Sequence, residues 1–317
     1  MKTPSLAGTD YFSSLTFGID GNDCSLLLLL YVSAALGSHF RGAIFMVRPS
    51  PSGGENEMEI TFRISWRRSF NSLAYCDQST IENGQLIGQL IGVDGNIQCE
   101  QGCSGTISDV RYICTDFSVE EDWSFGERVV AYTFLEGADI ITIAFSGGDW
   151  ISPFSSSWRV PTTFSLARRN DTGDINSTPR AIMSPVLRIQ EGCNHTIRVP
   201  VTDPDNDIVR CRWAVGGECA GICNGFPGAI LVPETCSLVY VADQGQGFRA
   251  AALMIEDFQP GSTTPLSSVA LQFLVLVVDT MRSCSVNPTF VPPTPYDDSC
   301  IVVPSGHTLH LRLVASS

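Results

Sequence analysis

The residues best suited to chemistry are three carboxylates at alternate positions, Asp203-Pro204-Asp205-Asn206-Asp207. Hard oxygen donors of this kind suit calcium, which makes Asp203, Asp205 and Asp207 candidate ligands, with Glu191, Glu256 and Asp257 as supplementary donors if the fold brings them near. The run is not an EF-hand loop: Ile208 stands where that loop requires glycine, and Ala214 where it requires a bidentate glutamate. The competing reading is a solvated turn between Val201 and Val209, in which Asp and Asn side chains bond their own backbone. A second candidate is aromatic. Trp150, Phe154 and Trp158 lie among glycines and serines, where they could form a contact patch for carbohydrate or protein or fill a core.

Support for catalysis is thin. The four histidines are His39, His195, His307 and His310, and no Gly-x-Ser-x-Gly elbow, phosphate loop or His-Glu-x-x-His helix is present. On a strand, His307 and His310 would point to opposite faces, which is poor metal geometry. The acid run Glu120-Glu121-Asp122 beside Trp123 reads as solvated surface. The expectation is therefore a protein with no catalytic residues and no certain cofactor, calcium being the exception that the acidic turn leaves open.

Eleven cysteines follow the N-terminal segment: Cys76, Cys99, Cys103 and Cys114; Cys193, Cys211, Cys219, Cys223 and Cys236; Cys284 and Cys300. Zinc sites pair close-set ligands twice, whereas Cys99/Cys103 and Cys219/Cys223 each lack a second matching pair. Disulfides are the better reading. The first four can close within one domain, with three pairings open, and the odd total leaves one partner unaccounted for. Three acceptor tripeptides for N-glycosylation agree with this chemistry, at Asn170, Asn176 and Asn194.

The compartment follows from the same residues. An apolar run from Cys24 to Gly37 is shorter than the ~20 residues needed to cross a bilayer and suits the core of a signal peptide, with small residues for cleavage before Ser38. Residues 1–37 are thus expected to be a signal peptide. Its leader is atypical, with Lys2 against Asp10, Asp20 and Asp23, and an uncleaved anchor over residues 24–37 is the alternative. A net charge of −14 disfavours nucleic acid, which needs clustered Lys and Arg. Charged residues are only 16% against 44% apolar, so the chain has the means to bury a core.

Strand periodicity dominates the elements that would position these residues. Met58, Ile60, Phe62, Ile64 and Trp66 alternate with polar residues, the pattern of a half-buried strand. Further strands are expected at 43–47, 128–134, 140–145, 158–166, 237–241, 248–255 and 269–278. The short connection 135–139 predicts a hairpin between its flanking strands. Val269–Val278 is apolar on both faces, as a central strand should be, and Gln272 and its length exclude a membrane span. The fold class expected is all-β: tandem antiparallel, disulfide-bonded β-sandwiches over 39–167 and 183–282, a polar linker at 168–182, and the opening of a third module at 283–317.

Val199-Pro-Val-Thr-Asp-Pro-Asp-Asn-Asp-Ile-Val resembles the turn after the second strand of cadherin-like and related Ig-like sandwiches. Ile64-Ser-Trp-Arg-Arg, Tyr112-Ile-Cys-Thr-Asp-Phe-Ser, Phe145-Ser-Gly-Gly-Asp-Trp-Ile, Gly192-Cys-Asn-His-Thr-Ile and Ile255-Glu-Asp-Phe resemble uncharacterised multidomain extracellular proteins of marine invertebrates. The resemblance implies tandem sandwich modules in a cell-surface or matrix setting. The chain departs from the cadherin pattern in its many cysteines. The function expected is a non-enzymatic structural, adhesion or binding module, secreted or at the cell surface, whose partner is an extracellular protein or glycan. The alternative is a lectin-like or receptor recognition ectodomain, and an enzyme of unfamiliar type comes third.

Overall fold

A computed structural model describes residues 39–51, 53–54, 56–88, 95–135, 139–148, 150–151, 157–279, 284, 289–295, 301–303, 305–306 and 308–316. The signal segment, Phe154, Cys300 and His307 lie outside the described residues. Among the described residues no helix is long and apolar enough to cross a membrane.

Nine strands build the first core: β1 (Phe40–Pro49), β2 (Glu57–Arg67), β3 (Leu86–Ile87), β4 (Asn96–Gln101), β5 (Thr106–Asp109), β6 (Tyr112–Ser118), β7 (Trp123–Thr133), β8 (Ile140–Gly147) and β9 (Trp158–Ser165). The strict alternation of β2 decides which way it faces. Met58, Ile60, Phe62, Ile64 and Trp66 are wholly buried, while Glu59, Thr61 and Arg63 look outward. The strands run β3-β6-β7-β2-β1 on one side and β9-β8-β4-β5 on the other. The hairpin expected at 135–139 does not form: β7 pairs with β2 and β6, and β8 with β9 and β4. Buried Phe134, just after β7, packs edge-on against Phe164 of β9.

The second core draws on β10 (Arg180–Ala181), β11 (Val186–Gln190), β12 (Asn194–Arg198), β13 (Val201–Thr202), β14 (Ile208–Trp213), β15 (Ile230–Val232), β16 (Ser237–Val241), β17 (Gly247–Phe258) and β18 (Ser267–Val278). A small hairpin-like pair, β19 (Thr289–Val291) and β20 (Val314–Ser316), follows. Almost all pairing is antiparallel, β11 with β18 being a parallel ladder.

Residues 36–317 form one compact unit, because β18 belongs to both cores. Along one edge it pairs with β17, from Asp257↔Ser267 to Gly247↔Val277. Along its other edge it pairs in turn with β9, β1 and β11. Ala250, Ala252, Met254, Ala270 and Leu274 face the first core, and Leu253, Ile255, Leu271, Phe273 and Val275 face the second. That is why Val269–Val278 is apolar on both faces. The stretch expected to be a polar linker, 168–182, is packed in part: Arg169, Asn176, Ser177 and Thr178 are buried, while residues 170–174 are exposed. Thr178 accepts a bond from the backbone of Val47 and donates its own backbone N–H to the Val47 carbonyl, which fastens the segment to β1.

Five disulfides pin these layers. Cys76–Cys114 and Cys99–Cys103 close within the first cluster, while Cys211–Cys236, Cys219–Cys223 and Cys193–Cys284 close the rest. The join between β1 and β18 depends on a residue without a side chain. Gly42 sits in a bulge of β1 at φ 139°, and a Cβ there would lie 2.2 Å from the Gln272 carbonyl oxygen. Neither the angle nor the space suits an L side chain. Gly42→Ala is expected to lower stability by about 2–4 kcal/mol in denaturant unfolding, because the obstruction is backbone and cannot rotate away.

Candidate functional site

The acidic turn forms for local reasons. Asp203 Oδ1 accepts the backbone N–H groups of Asp205 (2.9 Å) and Asp207 (3.0 Å), and Asn206 takes the left-handed conformation at φ 64°. The three carboxylates then diverge. Asp205 accepts from the backbone N–H of Ser177 at 2.7 Å and from its hydroxyl. Asp207 takes the fork of Arg169, through the guanidinium Nη1 and through Nη2 at 2.8 Å. Asp203 keeps Oδ2 buried with no hydrogen-bond partner among the described residues.

Arg169 is the hub. Its guanidinium also donates to both oxygens of Asp171 and to Asn176 Oδ1 at 2.7 Å. The Asn176 amide donates in turn to Asp257 Oδ2 at 2.7 Å, and the other oxygen of Asp257 accepts from the backbone and hydroxyl of Ser267, both at 2.7 Å. One network thus ties the 168–182 segment and the acidic turn to the closed end of the β17–β18 hairpin. Asp203, Asp207 and Asp257 bring carboxylate oxygens within 4.8 Å of one another, so Asp257 takes the place that spacing alone gave to Asp205.

The electrostatics follow from this packing. Burial, opposed by bonds from Asn176 and Ser267 and reinforced by the Asp203 charge, pushes Asp257 up to about 6. Burial also raises Asp203. Asp171, bonded to Arg169, is pulled down to about 2, while Asp207 and Asp171 hold the guanidinium more firmly protonated than usual. Calcium takes six to eight oxygens. Here both oxygens of Asp207 and of Asp257 already accept bonds within the chain, and Asp205 faces Ser177. Arg169 supplies a positive charge to this cluster from within the chain, and Asp203 Oδ2 is the carboxylate oxygen of the turn that stays buried without a partner among the described residues.

Beside the network runs an open polar cleft of about 580 Å³ between the β1–β2 turn, the 168–182 segment and the acidic turn. Arg48, Asn56, Asp174, Arg180 and Asp205 line it. Arg48 is held by Glu59 at 2.6 Å. The aromatic contact patch is not a surface. Trp150 and Trp158 are 0% and 1% exposed, packed around Phe40 at ring distances of 4.7 and 4.6 Å, because the bulky rings fill the end of the first core. The Glu120-Glu121-Asp122 run pairs with Arg188 and Arg67 on the surface. Asn176 is 2% exposed with its amide bonded inside the network, so it is no acceptor for a glycan in the folded chain, whereas Asn170 and Asn194 are exposed. Arg169 and the structural role of Asn176 escape a reading of the sequence: one looks like linker charge and the other like a sequon. The signal that marks them is an arginine pair set in an otherwise acidic stretch.

The class these features define is a disulfide-rich, all-β protein of two fused cores. Residues 41–167, the first core, match the family described as Integrin beta-like protein A-E, N-terminal. A solved structure, the two tandem V-type regions of VCBP3 (v-region-containing chitin binding protein), aligns over 74% of this chain and 99% of that one, at 13% identity and a TM-score of 0.31. No curated protein matches the chain.

Two measurements test the network. Arg169→Met leaves Asp207 buried without its cation and is expected to cost roughly 3–5 kcal/mol in denaturant unfolding, while millimolar calcium leaves the melting temperature of the parent chain unchanged. Asp257 sets a pH dependence of defined sign. Its folded value lies above the unfolded one near 4, so its contribution is fully present below pH ~4 and is lost as pH rises through about 6. Unfolding free energy is expected to rise by about 1 kcal/mol from pH 7 to pH 5, with a carboxyl ¹³C titration midpoint for Asp257 well above the usual range. A midpoint near 4 would contradict the burial argument.

Proposed function

We propose that this chain is a non-enzymatic extracellular module that works by binding: a rigid spacer with a recognition face. The observation that carries the proposal is the set of five disulfides, distributed over both cores. Bonds of this kind form and persist in oxidising compartments, and two exposed sequons, Asn170 and Asn194, suit the same route. The similarity of residues 41–167 to the N-terminal region of integrin beta-like proteins supports a surface or matrix setting. Asp203, Asp207 and Asp257, the best candidates for chemistry, take part in a network that closes a hairpin.

With Trp150 and Trp158 in the core, recognition falls to the polar cleft, where Asp174 and Arg180 lie at the surface. Its lining of charged and amide groups suits a polar ligand, a glycan or an extended polar peptide, better than an apolar one. Expression of the full chain in cultured eukaryotic cells is expected to deliver it to the medium, and non-reducing peptide mapping should recover Cys76–Cys114, Cys99–Cys103, Cys193–Cys284, Cys211–Cys236 and Cys219–Cys223. A chain retained in the cytosol with free thiols would overturn the extracellular reading. On a glycan array, retention that Arg180→Ala with Asp174→Asn abolishes would support recognition through the cleft; a parent chain that retains no sugar removes the carbohydrate arm.

A further inference from the structure

The three-stranded sheet β12-β16-β15 has an outer face that none of the described residues covers. Its alternation is clear. Ile197, Leu238 and Tyr240 point into the second core and are buried, while Val239, Val241 and Ile230 point out, at 39%, 48% and 67% exposure. The cross-strand register aligns these outward residues with a sequon. Asn194 pairs with Val241, Thr196 with Val239, and Val239 with Ile230. Asn194 and Thr196 are exposed on β12, which pairs with β16 alone among the described residues. The Asn194 side-chain amide makes no hydrogen bond among the described residues, in contrast to the amide of Asn176. The neighbouring Cys193–Cys284 bridge fixes the start of the strand, so the outward direction of Asn194 is held.

We propose that Asn194 carries an N-linked glycan whose innermost sugars lie across Val241, Val239 and Ile230. Residues directly opposite on an antiparallel pair have Cβ atoms about 5 Å apart, so the first sugar on Asn194 starts over Val241. The acetamido methyl and C–H faces of N-acetylglucosamine give apolar contact to valine and isoleucine, and the hydroxyls keep the outer side wet. The glycan covers an apolar stripe of the kind that invites association. This inference rests on the extracellular reading, since the modification is made only in the secretory route.

The test uses the full chain expressed in cultured mammalian cells. Enzymatic removal of N-glycans in ¹⁸O water followed by peptide mass analysis is expected to mark Asn194 as converted to aspartate in most of the secreted chain, with Asn176 unmarked. Secreted, disulfide-bonded chain bare at Asn194 overturns this inference and leaves the extracellular reading intact, whereas a chain retained with free thiols overturns both. Asn194→Gln is then expected to raise the fluorescence of an apolar-surface dye by about twofold and to promote self-association on size exclusion. Adding Val239→Thr and Val241→Thr to that variant should return both readings to the parent level. An unchanged dye signal in Asn194→Gln, or a rise that the two threonines fail to reverse, would show that the glycan does not cover the stripe.

Discussion

A strand buried on both faces cannot be placed in solvent, and β18 is such a strand along nearly its whole length. Together with β17 it presents one set of side chains to the first core and the alternate set to the second. Each large apolar side chain so placed contributes about 1.5–3 kcal/mol relative to exposure. The hairpin is thus the wall between the two cores, and neither can be completed without it. The first core closes because β18 pairs with both β1 and β9, strands that otherwise belong to opposite sides of a sandwich. The arrangement explains small residues where large ones would be expected: Ala250, Ala252 and Ala270 let the first-core sheets approach the wall.

The polar parts of the structure follow from that wall. Bringing β1 against β18 requires backbone-to-backbone contact, which Gly42 permits, and it buries Gln272, whose amide donates to the Arg159 carbonyl at 2.7 Å. The closed end of the hairpin meets the chain as it leaves the first core. There the segment 168–178 must pass from β9 towards the second core, with its own backbone groups and charges partly withdrawn from water. Asp257 and Ser267 at the hairpin end, Asn176 and Arg169 on the segment, and Asp207 on the facing turn satisfy one another. A buried guanidinium is tolerable only with such a full set of partners.

Much of this was legible in the residues. The period-two pattern of Met58–Trp66 specified both the strand and its buried face, and the cysteine clusters indicated bridges rather than a metal. The double-faced apolar run Val269–Val278 announced a central strand. What it could not announce was that its two faces serve different cores, since hydrophobicity records burial and not the identity of the neighbour. The polar segment 168–182 misled for a related reason. Composition reports the cost of burying Arg169 and Asn176, but not the partners that remove it, and those lie up to 81 residues away along the chain, at Asp257. For Trp150 and Trp158 the sequence leaves core and contact patch both open, and the rings take the first: they close the first core beside Phe40.

The acidic turn shows how a ligand motif is converted into scaffold. Alternating carboxylates diverge from a turn and can converge on a cation only if their neighbours leave the oxygens free. Here Ser177 holds Asp205, Arg169 holds Asp207, and backbone N–H groups hold Asp203 by one oxygen. The positive charge the motif requires arrives on a side chain, from a segment that the first core delivers to the same spot. A guanidinium suits this task because its planar fork meets two carboxylates and an amide at once, which a lysine ammonium could not do in the same plane. Being part of the chain, this cation cannot exchange with solvent, and its bonds to Asp207 tie the turn to the 168–182 segment. Should the cleft beside it bind as proposed, a turn tied down in this way would leave less to order when a ligand arrives.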